Sequence, residues 1–234
     1  MKIQSFSRQV CRFIGVVTVL SVSSLSFSFP GHAKPQTTVI NQKVDEVEAQ
    51  VIQWRHHFHE FPELSNREFK TAAYIEQYLR SLGLQVQTGI AKTGVVGLLD
   101  TGKPGPVVAL RADMDALPIE ESSDLPFKSV QRGKFNGKDV PVMHACGHDT
   151  HMAMLMGAAK ILTDMQDDLV GQVKFIFQPA EEGSPEGEVG GAEIMVEEGV
   201  LKNPDVDAIF GLHISAATPV GKVLWREGGC SRSV

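Results

Sequence analysis

Three short apolar runs, at residues 107–110, 173–177 and 208–212, are each followed closely by ionisable side chains, and helix-length segments separate them. Between the first and second runs lie residues 152–162, rich in Ala and Met, and between the second and third lie residues 192–201. A continuous apolar run of four or five residues suits a strand buried on both faces. The order strand, helix, strand, helix, strand predicts an α/β fold with a mostly parallel sheet and helices on both faces. In such sheets ligands bind beyond the carboxyl ends of the strands. Asp113 and Asp115 follow the first run, Glu181 and Glu182 the second, and His213 the third. The fold rule and the placement of these side chains indicate the same end of the sheet.

The sequence before the first run is also patterned. Residues 34–43 are polar, contain Pro35 and read as a linker. Val44, Val47, Val51, Trp54 and Phe58 recur at helical spacing, which predicts a helix ending near Pro62. Ser65-Asn66-Arg67-Glu68 has the form of a capping box, opening a second helix with Phe69, Ala72, Ile75, Tyr78, Leu79 and Leu82 on one face. Gly83 stops it. Strands are expected at 84–90 and 95–99, and Gly102-Lys103-Pro104-Gly105-Pro106 makes a turn before the run at 107–110. Residues 120–142, polar with scattered Gly and Pro, read as a long excursion.

With 234 residues, 42% of them hydrophobic, the chain can build one sizeable core and begin a small second domain. Its formal net charge is −6, with acidic residues dispersed and no Lys/Arg cluster, which argues against a nucleic-acid partner. Lys2, Arg8 and Arg12 precede a serine-diluted apolar stretch at 13–29, and Gly31-His32-Ala33 offers small residues at a cleavage site. Residues 1–33 therefore read as a signal peptide. The apolar part is too short and too rich in serine to span a membrane comfortably. Removal of this segment leaves 19 basic against 28 acidic side chains, an acidic protein expected in the periplasm or outside the cell, with no membrane contact after cleavage.

The segment His144-Ala145-Cys146-Gly147-His148-Asp149-Thr150-His151 carries the most chemistry. Thiolate, imidazole and carboxylate are the ligand types of a Zn²⁺- or Mn²⁺-class ion. Cys146 and His148 can converge on one ion if the backbone turns between them, which Gly147 permits. Cys146 and Cys230 could instead pair as a disulfide, but the flanking histidines favour a ligand role for Cys146. Glu181 and Glu182 are adjacent and, on extended backbone, point in different directions, so one can bind metal while the other handles a proton. A Glu-Glu pair alone is usually a solvated loop, and its place after a buried strand is what distinguishes this one. His213 also leaves a buried strand. Asp113 and Asp115 alternate, so both carboxylates could lie near a metal, as ligands or as partners of ligands. Spacing does not separate their roles.

Together these residues resemble the metallo-amidohydrolases of the aminoacylase and carboxypeptidase clan, in the subgroup of hippurate hydrolase, N-acyl-amino-acid amidohydrolases and indole-acetyl-amino-acid hydrolases. The matching words run in the family's order: Arg55-His56-His57-Phe58-His59 through Pro62-Glu63-Leu64, Arg111 through Pro118, His144 through His151, Gln178 through Gly183, and Gly211-Leu212-His213. The resemblance implies a three-layer, zinc-exopeptidase-like α/β sandwich with a mostly parallel mixed sheet. It implies two divalent ions per site, Mn²⁺ or Zn²⁺ with Ni²⁺ and Co²⁺ as alternatives. Cys146, His148, Glu182 and His213 match ligand positions, Glu181 the general base and Asp113 the catalytic aspartate. The implied substrate is a small N-acyl or N-aroyl amino acid, hydrolysed at its amide.

Two departures from the family pattern are visible. Ser184-Pro185-Glu186-Gly187-Glu188-Val189 is longer than the usual Gly-rich link and implies a longer loop near the site. The family chain also continues into a lid and dimerisation domain and a closing segment with a further His ligand. On this reading residues 44–226 are the N-terminal part of the catalytic domain and 227–234 a truncated end, so the fold is incomplete at its C-terminus. A catalytically impaired metal-binding remnant is then the alternative to an active hydrolase, and a homo-oligomer is expected only if the missing domain is supplied.

Overall fold

A computed structural model describes residues 36–225. In chain order the elements are α1 (Gln36–Glu60), α2 (Phe69–Ser81), β1 (Gln85–Ile90), β2 (Gly94–Asp100), β3 (Val107–Asp113), β4 (Arg132–Phe135), β5 (Lys138–Pro141), α3 (His148–Asp164), β6 (Gln172–Gln178), α4 (Gly191–Glu197) and β7 (Ala208–Gly211), with a short 3₁₀ turn at Gln166–Asp168. The signal-peptide segment 1–33, the C-terminal residues 227–234 and Cys230 lie outside the described residues. Among the described residues no helix is long and apolar enough to cross a membrane.

The main sheet has the order β1-β2-β6-β3-β7. β3 pairs in parallel with both β6 and β7, while β2 is antiparallel to β1 and β6. The α/β class and the mixed sheet are as expected, but only two of these four pairings are parallel. The reason is local: only three residues join β1 to β2, and a connection that short makes an antiparallel hairpin. The site-bearing strands β3, β6 and β7 are the parallel set, but β7, expected to be buried, lies at the edge of the sheet and is exposed along its length.

Alternation along the strands divides the core into two layers. Val95, Ala112, Phe175 and Phe177 join Trp54, Phe58, Ile75, Leu79, Met152 and Met156 from α1, α2 and α3. On the other face Val96, Ala109 and Ile176 pack with Met195 and Val200 of α4 and the turn after it. Lys174 also lies on this second face, buried, and its ammonium donates to the carbonyls of Val200, Lys202 and Pro204 at 2.9–3.1 Å. Those three bonds compensate the charge that burial would otherwise disfavour.

Three sequence expectations need correction. The linker expected at 34–43 is helical from Gln36, because polar residues extend α1 as a solvated helix braced by Gln42 to Glu46 and by Lys43 to Asp164. The excursion at 120–142 contains the β4–β5 hairpin, whose turn residues Asn136 and Gly137 both have positive φ, at 49° and 76°. Asn-Gly between two short strands is the signal that could have found it. Finally, Ser65 and Glu68 do not form a capping box. Glu68 occupies the N-cap of α2 without a side-chain cap bond, and the Glu63 carboxylate accepts from Thr71 N–H instead. Ser65 and Glu68 turn inward, to Asp115 and Thr93 respectively.

Candidate metal centre

β3 extends through Asp113, and the intervening Met114 side chain is wholly buried in the larger core layer. The aspartates on either side of it take different partners. Asp113 accepts from His151 Nδ1 at 2.6 Å and from the Arg111 guanidinium at 2.8 Å. Burial alone would raise its pKa, but the His151 hydrogen bond and the charges of His148 and Arg111 hold the carboxyl well below the usual range. Asp115 accepts from Ser65 Oγ at 2.7 Å and from the backbone N–H of Glu181 and Glu182 at 2.9 and 3.0 Å. The separation that spacing left open is therefore visible: Asp113 faces the histidines, and Asp115 ties down the chain that bears the glutamates.

α3 opens at His148, preceded by Gly147 in the left-handed region at φ 88°. A Cβ at Gly147 would fall 2.2 Å from Ile214 Cδ1, so this turn suits glycine on both counts. The turn puts Cys146 and His148 on one side, as the sequence suggested. His148 is fully buried, and its Nδ1–H donates to the Asp115 carbonyl at 2.8 Å. A carbonyl only accepts, so the lone pair lies on Nε2. That nitrogen is 3.6 Å from Asp113 Oδ2, 3.7 Å from Glu181 Oε2 and 3.8 Å from Glu182 Oε1. Neither His148 Nε2 nor Glu181 Oε2 has a hydrogen bond among the described residues, although both atoms are buried.

His213, at the exit of β7, is exposed, and its Nε2 lies 3.4 Å from Cys146 Sγ. Its Nδ1–H donates to the Ile214 carbonyl, which leaves Nε2 as the lone-pair nitrogen. Cys146, His148 and His213 thus form one group whose ligand atoms lie within 4.8 Å of one another, and His148, Glu181 and Glu182 form another. The four sequence-expected ligands and Glu181 are all contained in these two groups, with His148 common to both.

A third group, Asp113, His148 and His151, has the same compactness but a different character. His151 Nε2 accepts from Ile214 N–H at 2.9 Å, so its proton sits on Nδ1 and goes to Asp113. Both nitrogens of His151 are occupied, and each oxygen of Asp113 already accepts one hydrogen bond. These two residues form a hydrogen-bonded brace beside His148 rather than an open ligand set. His151 is a residue that the sequence alone left without a role. His144 joins none of the three groups, and burial pushes its imidazole down to about 4.

The donor chemistry fits a divalent ion. One thiol, two imidazoles with outward lone pairs and two carboxylates meet at the strand ends, and buried polar atoms without hydrogen bonds are otherwise costly. Burial would lower the His148 imidazole, but Asp115 and the charge of Asp113 raise it, so a proton and a cation compete for Nε2.

A second buried network lies behind α3. His59 of α1 bonds Asp149 at 2.9 Å and Glu121 at 3.1 Å, and Arg55 approaches Asp149 at 3.4 Å. Glu121 also accepts from Ser123 Oγ and from Ser129 N–H. This network fixes the first turn of α3 and the 121–129 loop to α1.

The sequence profile of peptidase family M20/M25/M40 matches residues 109–227. Thermostable carboxypeptidase 1 of Saccharolobus solfataricus is 47% identical over 190 residues, 81% of this chain and 45% of that protein. N-acyl-L-amino acid amidohydrolase of Geobacillus stearothermophilus is 46% identical over 184 residues, 79% of this chain and 46% of that protein. Among solved structures, the Bacillus subtilis YXEP protein, a dinuclear metal-binding peptidase of the M20 family, aligns with a TM-score of 0.65 at 40% identity, over 76% of this chain and 45% of that one. The chain spans about half the length of the curated relatives it matches.

Proposed function

Because the chain belongs to peptidase family M20/M25/M40, we propose that it supplies the metal-binding side of a hydrolase that cleaves the amide of N-acyl or N-aroyl amino acids. The observation that carries this reading is the meeting of the Cys146–His148–His213 and His148–Glu181–Glu182 groups around one buried imidazole. Cys146, His148, Glu182 and His213 would hold divalent metal. The name of the Geobacillus stearothermophilus relative supports the substrate class, and the YXEP protein supports two ions at the site.

When bound, the metal supplies Lewis acidity that polarises the amide carbonyl and lowers the pKa of a nearby water. The protein supplies the rest. Glu181 accepts the proton of the attacking water and returns it to the departing amine nitrogen. Glu181 and Glu182, expected to point in different directions, both reach His148 Nε2, at 3.7 and 3.8 Å; with Glu182 holding metal, Glu181 is left for proton transfer. Asp113, bonded to His151 and Arg111 and 3.6 Å from His148 Nε2, would favour a cation held at that nitrogen and keeps the imidazoles oriented.

The test is an assay of amino acid release from a panel of N-acetyl, N-benzoyl and indole-acetyl amino acids, with Mn²⁺ or Zn²⁺ added. Release by this chain alone is expected to be weak or absent, and Glu181→Gln should lower whatever ion-dependent release appears by at least about 10²-fold while sparing metal content. Release indifferent to Glu181→Gln would contradict the reading, and metal binding without release from any substrate would favour the catalytically impaired remnant instead.

Export is proposed on sequence grounds alone: a basic start, a serine-diluted apolar stretch and Gly31-His32-Ala33. Intact-mass analysis of the exported protein should find residues 1–33 removed. A full-length N-terminus retained in the cytoplasm would refute this.

A further inference from the structure

Ser65 and Glu68, which have the sequence form of a helix cap, are both directed into the metal centre's support. Glu68 has no exposed surface, yet it carries a carboxylate into the protein interior. Its Oε1 accepts from Ala180 N–H at 2.9 Å, and its Oε2 accepts from Thr93 Oγ at 2.7 Å. Ser65 donates to Asp115, whose two oxygens take the next two amides, Glu181 and Glu182. Three consecutive backbone N–H groups thus end on two buried carboxylates.

The first of those residues is conformationally costly. Ala180 sits in the left-handed region at φ 49°, a place that residues with a Cβ occupy only when something holds them there. That bend turns the chain out of β6 and decides where the next two side chains emerge. Their carboxylates arrive 3.7 and 3.8 Å from His148 Nε2. A shift of about 1 Å at such a site is large relative to the tolerance of metal coordination.

We propose that Glu68 is a positioning residue of the metal centre: by holding the Ala180 amide, it sets the direction in which Glu181 and Glu182 enter the site. The proposal rests on the reading of that pair as metal-side groups. Glu68 itself is wholly buried and belongs to none of the three candidate ligand groups. Ser65 acts in the same way through Asp115, at the two amides after Ala180. The alignment of Ala116 N–H with the Glu63 carbonyl at 2.8 Å explains the geometry, because it lays the segment before α2 along the exit of β3.

The experiment is Mn²⁺ titration of the whole chain, followed by the paramagnetic resonance of free and bound Mn²⁺, with far-UV circular dichroism as the check on folding. Glu68→Ala should weaken Mn²⁺ binding about 10–100-fold and broaden the bound-ion spectrum, the scale on which loss of a ligand's support acts. Glu68→Gln should bind within about 3-fold of wild type, since its amide oxygen can take the Ala180 bond and its NH₂ can donate to Thr93 Oγ. If Glu68→Ala does not fold, Thr93→Val, which removes one of the two bonds at similar shape, should weaken binding about 3–10-fold. Wild-type binding in folded Glu68→Ala, or in Thr93→Val where Glu68→Ala fails to fold, would overturn the positioning role alone. Glu68→Gln as weak as Glu68→Ala would also overturn it, by showing charge rather than hydrogen bonding at work. A wild-type chain that binds no Mn²⁺ would remove the metal reading and this proposal with it.

Discussion

Replacing His59 with leucine should destabilise the fold by about 3 kcal/mol, read as a shift in the midpoint of denaturant unfolding. His59 is buried between two buried carboxylates, Asp149 and Glu121, and the substitution removes the group they share. Removing one partner of a buried ion pair costs roughly 3–5 kcal/mol, because the remaining charge has lost its compensation. The lower end applies here. Glu121 keeps Ser123 Oγ and Ser129 N–H, and Asp149 keeps the half-exposed Arg55. Asp149 also stands in the first turn of α3, where the helix dipole favours its charge.

The pH dependence follows from the same contacts. The Asp149 hydrogen bond raises the His59 pKa, burial opposes it, and the Glu121 bond adds to the rise. A histidine whose folded pKa lies above its unfolded value contributes stability that is fully present below that unfolded value, near 6.5. The contribution is lost as the pH rises through the folded value. An NMR titration should therefore find the His59 imidazole charged above pH 6.5. A His59→Leu cost below about 1 kcal/mol, or an imidazole titrating below its ordinary value, would contradict the network.

Much of the site was legible in the sequence because it obeys a topological rule. Buried parallel strands read as apolar runs, and the residues just after them lie at the ligand-binding end of the sheet. That rule places Asp113, Asp115, Glu181 and Glu182 together, and the parallel run at 208–212 adds His213 although β7 is exposed rather than buried; the short spacing of Cys146 and His148 adds the loop before α3. The supporting residues were not legible, for a physical reason: their partners are remote in sequence. Ser65 and Glu68 have the spacing of a capping box, and a local pattern gives no hint that Asp115, Thr93 and Ala180 outcompete the helix end for their side chains. His151 lies on α3 beside Asp113 and Ile214, contacts that only the folded chain brings about. The β4–β5 hairpin was different, since Asn136-Gly137 announced it locally. The strand order of the sheet was also beyond the sequence, because β6 inserts between β2 and β3, two strands joined directly along the chain.

The same geometry sets the largest expected effect on binding. Both candidate ligand groups contain His148, and Cys146 is the sulfur donor of the one that reaches His213. Removing both side chains takes away the shared imidazole and the thiolate, leaving carboxylates and a single exposed imidazole. Soft donors dominate the affinity of such a site for Zn²⁺, and a complete set of four ligands is worth about 10–16 kcal/mol in small zinc-binding domains. Loss of half such a set should lower affinity by at least about 10³-fold. The fold should survive, because the core layers beneath the site do not depend on the ion.

Elemental analysis of the purified chain and of a folded Cys146→Ala/His148→Ala variant, each equilibrated with equal Zn²⁺ or Mn²⁺ and then desalted, tests the centre most directly. Stoichiometric metal in the wild type and almost none in the variant is the predicted result. Equal metal content in the two proteins would contradict a metal centre at the ends of β3, β6 and β7.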